Sequence, residues 1–477
     1  MHGTTKRGIV PAELVRRSSR FAPYRARLQK LRKLLRESAR RSGRLNLPAI
    51  AGDLLHGTSI GQQFLFRLGG GRGAEQVREY VVRLPAGYPA REIQVRLSVP
   101  KLPPSPFLSF SEHVVDASGN PTDTVLASMT GGFAISHDMG VTWQIVKIRD
   151  RRFRHHQFRH VKSIGEGEVF TQAYAERWHP GGPRVVDNLI LNHKGEVLAA
   201  NRMNGSHWHG PRSVDIANGT LMYAEYPFED RSGGPENRAV SRVLRSRDRG
   251  RSWEPVFERD GTQVRHFHFL QARPGAPGEW WLTSGDSPME SRIWISRDDG
   301  DHWEDLTRGF GDPVVLDGLA YPRTLFRLTD LKWEGEDIVW GTDDYLSRNQ
   351  FPSPGARMFR SPADRLAPKL AGKAKWQIRS IVEIGDFYMV LTQGCVRADA
   401  TPEEKKPGVY LMPKRQIPGA ADMVHLFDVD VHSHNRTGFT YSRASRAAKD
   451  GTFFTYRAST DVFPFGHRML RWDITFA

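Results

Sequence analysis

The sequence predicts an all-β fold, a β-propeller of four-stranded blades set around an axis. Seven blades is the simplest count, with six or eight as alternatives, and a basic helical extension precedes the propeller. Three observations lead there. One octapeptide turn recurs three times, its copies are spaced by one or two blade lengths, and short β-like runs fill the intervals while helical periodicity is absent after residue 50.

The turns run from Ser136 to Trp143, from Ser246 to Trp253 and from Ser296 to Trp303. Each holds a Ser, an Asp two residues on (Asp138, Asp248, Asp298), a Gly two beyond that, and a closing Trp. Thr142 and Ser252 supply a hydroxyl before the Trp, where the third copy has His302. The Asp carboxylate can accept backbone N–H groups inside the turn. Glycine takes the φ > 0 position without steric cost, and the Trp covers the hairpin with apolar surface.

Spacing turns the motif into an architecture. Asp138 and Asp248 are 110 residues apart, and Asp248 and Asp298 are 50 apart. A repeat of roughly 50–55 residues with one silent copy fits both intervals. A degenerate fourth copy from Arg357 to Asp364 lacks the Gly and the Trp. The propeller domain is assigned to residues 51–477, with blades near 107–150, 158–203, 207–258, 264–308, 324–380, 381–430 and 435–476.

The formal charge of +16 is concentrated in residues 1–47, which carry 14 Lys and Arg against Glu13 and Glu37. The remainder is nearly balanced, so bulk charge says little about what the propeller binds. Within the extension, taken as residues 1–50, Phe21, Tyr24, Leu28, Leu31 and Leu35 form one apolar stripe on a basic helix. That pattern fits a solvated extension, or peripheral contact with an anionic membrane through residues 21–41, or a targeting peptide. No apolar run reaches the roughly 18–20 residues that span a bilayer. Cys395 is alone, which excludes a disulfide framework. Cytoplasmic placement is expected, with the inner membrane surface as an alternative. No helix-turn-helix, zinc finger or interleaved aromatic-basic strand is present, so nucleic acid is not an expected partner.

The pattern Ser-x-Asp-x-Gly-x-Ser/Thr-Trp resembles the Asp-box (BNR) repeat of the sialidase-like β-propellers, and the resemblance spans residues 107–380. It implies a carbohydrate-active fold, commonly a glycoside hydrolase, with an oligo- or polysaccharide, neutral or acidic, as partner. True sialidases carry a Phe/Tyr-Arg-Ile-Pro motif before the first box. The nearest text here, Arg96 to Pro100, does not match it. The sialidase site itself is therefore not implied.

Asp boxes lie between the third and fourth strands of a blade, so chemistry is expected at the opposite face. That face carries the starts of first strands and the ends of second strands. Three His-x-His pairs fall near first-strand starts: His207 and His209, His266 and His268, His432 and His434. Arg327 fills the same slot in another repeat, with Tyr321, Arg323 and Tyr345 close in sequence. Asp286, Asp343 and Asp344 fall at second-strand ends, in phase with Gln393.

Asp286, Asp343 and Asp344 are the expected acid and base or nucleophile, with His266 and His268 beside them. His207, His209, Arg323, Arg327, Tyr321, Tyr345, His432 and His434 are expected to hold the sugar. No cofactor is required, although a divalent metal at the histidines is an alternative, since imidazole suits Zn, Mn, Fe or Ni. The leading expectation is glycoside hydrolysis. A non-catalytic glycan- or protein-binding propeller and a uronate lyase, with arginine neutralising the carboxylate and histidine as base, are the alternatives.

Overall fold

The computed structural model describes residues 78–98, 111–116, 121–129, 131–154, 156–175, 185–203, 207–208, 212–227, 240–343, 355–394, 401, 406–415, 423–429, 443–444, 447–459 and 466–477. Seven antiparallel sheets form the blades. Blade one is Ser111–Val115, Pro121–Met129, Gly132–Ser136 and Gln144–Lys147. Blade two is Gln157–Gly165, Glu168–Ala175, Val185–Asn192 and Val197–Met203. Blade three is Val214–Ala217, Thr220–Ala224, Ser241–Ser246 and Glu254–Arg259, and blade four is Phe267–Ala272, Trp280–Ser284, Arg292–Ser296 and Glu304–Asp305. Blade five is Leu328–Glu334, Asp337–Thr342, Ala356–Pro362 and Lys369–Ala374, and blade six is Ile378–Ile384, Phe387–Thr392, Gly408–Pro413 and Val424–Asp428. First strands of successive blades touch one another, which places them innermost around the axis.

Burial follows this layering. Second strands such as Trp280–Ser284 and Phe387–Thr392 are buried at every position, because neighbouring blades cover both faces. The outermost strand Val197–Met203 alternates half-buried and exposed residues. Trp280, Trp281, Trp294 and Trp340 are fully buried between blades three, four and five.

Blade seven corrects the sequence reading, which drew it from residues 435–476 alone. Its inner strands Arg443–Ala444, Phe453–Ser459 and Gly466–Phe476 are completed by Glu92–Ser98 and then Arg78–Arg83. Val95 pairs with Ile474 and Leu97 with Trp472. Ile93, Val95 and Leu97 point into a core shared with Phe387 and Met389 of blade six, while Gln94 and Arg96 point out. The ring is thus closed by strands from distant parts of the chain, and that pairing leaves no local signal in the sequence. The basic extension, including the stretch 21–41, lies outside the described residues. Among the described residues no helix is long and apolar enough to cross a membrane.

All three octapeptide turns join a third strand to a fourth, in blades one, three and four. In the first, Asp138 Oδ1 accepts Ser136 Oγ and Thr142 N, each at 2.8 Å, and Asp138 Oδ2 accepts Thr142 Oγ1 at 2.5 Å. Gly140 N donates to Ser136 Oγ at 2.8 Å, and Trp143 Nε1 to Gly140 O at 2.9 Å. The second turn repeats the carboxylate pattern with Ser246, Asp248 and Ser252.

The silent copy is visible too. At the same turn of blade two, Asn192 Oδ1 accepts Lys194 N and Glu196 N at 2.9 and 3.0 Å, an Asx turn doing the work of the Asp. In the degenerate copy Ser361 still accepts a backbone N–H, that of Ala367 six residues on at 2.8 Å, but its hydroxyl donates to the carbonyl of Pro362 instead of a carboxylate. The turn glycines also seat each blade on the one before it. A Cβ on Gly250 (φ +84°) would lie 2.4 Å from Ile190 Cδ1 of blade two.

Around the axis the first strands are tied by buried charges. Lys162 of blade two bridges Glu112 of blade one at 2.7 Å and Asp215 of blade three at 3.0 Å. Asp330 of blade five accepts Lys332 at 2.9 Å and Ile381 N of blade six at 2.8 Å, and lies 3.5 Å from Arg212, just before blade three. Removing one partner of such a pair leaves an uncompensated charge indoors, so the network fixes the relative positions of the inner strands.

Candidate functional site

Antiparallel order puts first-strand starts and second-strand ends on one face, opposite the octapeptide turns. The register there is irregular. Strand pairing slips between Phe267 and Phe269 in blade four, between Leu328 and Leu331 in blade five, and between Ile378 and Ser380 in blade six. The residues inside these bulges include His268, Asp330 and Arg379. A bulge breaks the ladder and re-aims a side chain; here His268 and Arg379 meet the carboxylates of the mouth, while Asp330 joins the axial network.

Asp286, just past the second strand of blade four, is the hub. Its Oδ2 accepts Arg265 Nη1 at 2.8 Å and its Oδ1 pairs with Arg327 Nη2 at 3.1 Å. His266 Nε2 lies 3.5 Å from Oδ2 and His268 Nε2 lies 3.6 Å from Oδ1. Burial raises the Asp286 carboxyl. The imidazoles of His268 and His266 and the Arg327 guanidinium pull it further the other way, and it ends well below the usual carboxylate range. Burial holds the His266 imidazole well below its ordinary value against the attraction of Asp286. Tyr226 stacks on His266 with centroids 3.9 Å apart.

A second pair continues the mouth across blades five and six. Asp343, one residue past its second strand, accepts Arg379 Nη1 at 2.6 Å, and Arg379 Nε donates to Gln393 Oε1 at 2.6 Å. Asp343 N also donates to Arg327 O at 2.8 Å, which ties this pair to the Asp286 hub. In two places a carboxylate at the second-strand end of one blade meets an arginine at the first-strand start of the next, Asp286 with Arg327 and Asp343 with Arg379. Arg379 was not anticipated from sequence. Its signal was positional only, a lone arginine one residue inside a first strand.

Glu225 was missed for the same reason. It follows the second strand of blade three directly, in register with Asp343 and Gln393. Arg242 grips it at 2.7 and 3.0 Å, and burial pushes the carboxyl up to about 7 against that pull. Its neighbour is Tyr226, the ring stacked on His266.

Several expectations are relocated. Arg323 turns away from the mouth. It donates to the carbonyls of Phe310 and Thr307, and its backbone N–H to Asp312 Oδ1 at 2.9 Å, a clasp on the preceding loop. Tyr321 is buried edge-on against Phe359 in the core between blades four and five. The flanking Leu325 and Phe326 draw that segment inward. His207 does not start a first strand: blade three begins at Val214, and its slot is held by Ser213, whose Oγ donates to His268 O at 3.2 Å. The segment His207–Trp208 instead forms a two-residue ribbon with Tyr226–Pro227. His209, Asp344, Tyr345, His432 and His434 lie outside the described residues.

No family model matches the sequence, and no curated protein does. Similar solved structures include YCF48 bound to D1 peptide, at 10% identity and TM-score 0.40, covering 83% of this chain and 96% of that one. The GH74 enzyme of Niastella koreensis has 11% identity and TM-score 0.29 over 73% of this chain and 60% of its own. An ancestral GH74 enzyme has 11% identity and TM-score 0.42; the match covers 81% of this chain and 47% of the enzyme. The propeller is established by the strand order itself, and likenesses this distant say nothing of ligand or reaction.

Proposed function

We propose that the chain is a carbohydrate-active or carbohydrate-binding propeller of the Asp-box type, and that its mouth at blades four to six takes a saccharide bearing a carboxylate. The observation that carries this is the arginine series. Arg265, Arg327 and Arg379 arrive at the starts of three successive blades, two of them against the Asp286 hub and the third against Asp343. A guanidinium has five donors in a planar fork that matches a carboxylate. Arg265 is the one with its side chain a third exposed, placed to meet a ligand first. Tyr226 and the imidazoles beside it offer a flat apolar face and hydrogen-bonding atoms, which suit a sugar ring. The Asp-box resemblance supports a carbohydrate as the ligand class.

Hydrolysis is the second reading. Asp286 and Asp343 are each engaged by arginine, and Asp286 is held too acidic to deliver a proton near neutral pH. Glu225, raised to about 7, is in the range a glycosidase acid needs.

Calorimetry with uronate or sialylated oligosaccharides and their carboxyl-reduced counterparts tests the first reading. The acidic sugars should bind at least about tenfold tighter, a difference of about 1.4 kcal/mol, and Arg265→Gln should abolish it. Equal affinity for the two sets removes the proposal. Turnover that survives Asp286→Asn and is lost in Glu225→Gln supports hydrolysis through Glu225; no reducing-end release from any acidic or neutral polymer removes it.

A further inference from the structure

We propose that His266, His268 and Asp286 form a binding site for a divalent cation of the zinc class. Each residue offers one donor atom to a cluster within 4.8 Å, and it is the Nε2 atom of each imidazole that faces the carboxylate. Both imidazoles are at least nine-tenths buried, and both Nε2 atoms face the same carboxylate.

The distances favour a gap of ionic size. At 3.5 and 3.6 Å the imidazole nitrogens stand too far from the carboxylate for good hydrogen bonds. A tetrahedral zinc with bonds of roughly 2.1 Å sets its ligand atoms about 3.4 Å apart. Each imidazole nitrogen lies about 0.1–0.2 Å beyond that edge from a different carboxylate oxygen, and the donor set as a whole fits within 4.8 Å, so a bound zinc would draw the three groups together.

The surroundings hold the donors in place. Tyr226 stacks on His266 and fixes its plane. Arg265 and Arg327 each hydrogen-bond one carboxylate oxygen, and a carboxylate has about four lone-pair sites, enough to serve a guanidinium and a metal together. Ligating carboxylates are commonly hydrogen-bonded in this way from outside. Two imidazoles and one carboxylate leave a fourth position open, as in sites that bind a water or a ligand rather than closed structural ones. The donor set of imidazole nitrogen and carboxylate oxygen suits zinc and its first-row neighbours. The two guanidinium charges oppose a cation, so the open position should favour an anionic fourth ligand.

The inference goes beyond the saccharide reading and its assay contains no sugar. Full-length protein is stripped with EDTA, equilibrated with zinc alone, desalted and analysed for metal. It should retain about one zinc per chain. X-ray absorption at the zinc edge should show two imidazoles in the first shell. Asp286→Asn, which keeps the side-chain shape, should weaken zinc binding at least about tenfold, and the His266→Ala/His268→Ala double variant should lose it. If the double variant does not fold, the absorption spectrum of the unaltered protein decides alone. No retained zinc, a first shell without two imidazoles, or zinc held undiminished by a folded double variant each overturns the site.

Discussion

His302 Nδ1 lies 2.6 Å from Asp298 Oδ2, in the place that the Thr142 and Ser252 hydroxyls occupy in the other two octapeptide turns. An imidazole therefore closes a ring of hydrogen bonds that a hydroxyl closes elsewhere, and it brings a titration with it. The Asp298 partner raises the His302 pKa above the ordinary 6.5. A raised folded-state value means that the contribution is complete below pH 6.5 and is lost as the pH climbs through the raised value. Imidazole NMR should show His302 titrating above 6.5, and His302→Thr should flatten the change in Tm between pH 6 and 8. A His302 resonance titrating at or below 6.5 would contradict the ion pair.

Gly250 combines a left-handed backbone with a close approach to the preceding blade, so Gly250→Ala should cost roughly 2–4 kcal/mol, the sum of backbone strain and overpacking against Ile190. Gly219 also has positive φ but nothing within 4 Å of its would-be Cβ. Gly219→Ala should therefore cost only about 1–2 kcal/mol. Urea denaturation of the two variants measures the difference; equal losses would mean that the blade contact contributes nothing.

The Asp343–Arg379 pair is nearly buried, with side chains 4% and 12% exposed. Arg379→Leu should destabilise by about 3–5 kcal/mol because the carboxylate is left indoors without its cation. Adding Asp343→Leu should recover most of that loss. A double variant as unstable as the single one would show that the arginine acts through packing instead of charge.

Legibility in the sequence depended on how local each signal is. The octapeptide turns are self-contained hydrogen-bonded units, so their spacing placed the first strands of blades two, four, five and six within a few residues. Asp286, His266, His268 and Arg327 were anticipated as lining one mouth, and the structure brings these four together. His207 was misphased because the first strand of blade three begins at Val214, seven residues later than the repeat count places it, and the length of a connection is not readable from repeat spacing. Arg379 and Glu225 escaped notice since a lone charge at a strand end looks like a turn residue until its partner from the next strand is placed. Tyr321 and Arg323 carry side-chain chemistry suited to a mouth, yet their apolar neighbours Leu325 and Phe326 turned the segment into the core.

The pairing of Glu92–Ser98 with Gly466–Phe476 makes blade seven dependent on both ends of the ring. Val95→Asp places a charge at a position 1% exposed and should cost at least roughly 3 kcal/mol in a thermal or urea melt. Val81→Asp, on the outermost strand and 62% exposed, should stay within about 0.5 kcal/mol. Similar losses in the two variants would indicate that the seal contributes little.

That same seal dictates an order of events at the ribosome. The segment Glu92–Ser98 is made early, but the strand it must join is synthesised about 370 residues later, an interval of roughly 20–75 s at ordinary elongation rates. Throughout that time Ile93, Val95 and Leu97 wait without their permanent neighbours, and six blades can stack before the circle locks. Nascent chains stalled just short of Gly466 should therefore be the form most dependent on chaperones, and the most prone to borrow an edge from another molecule.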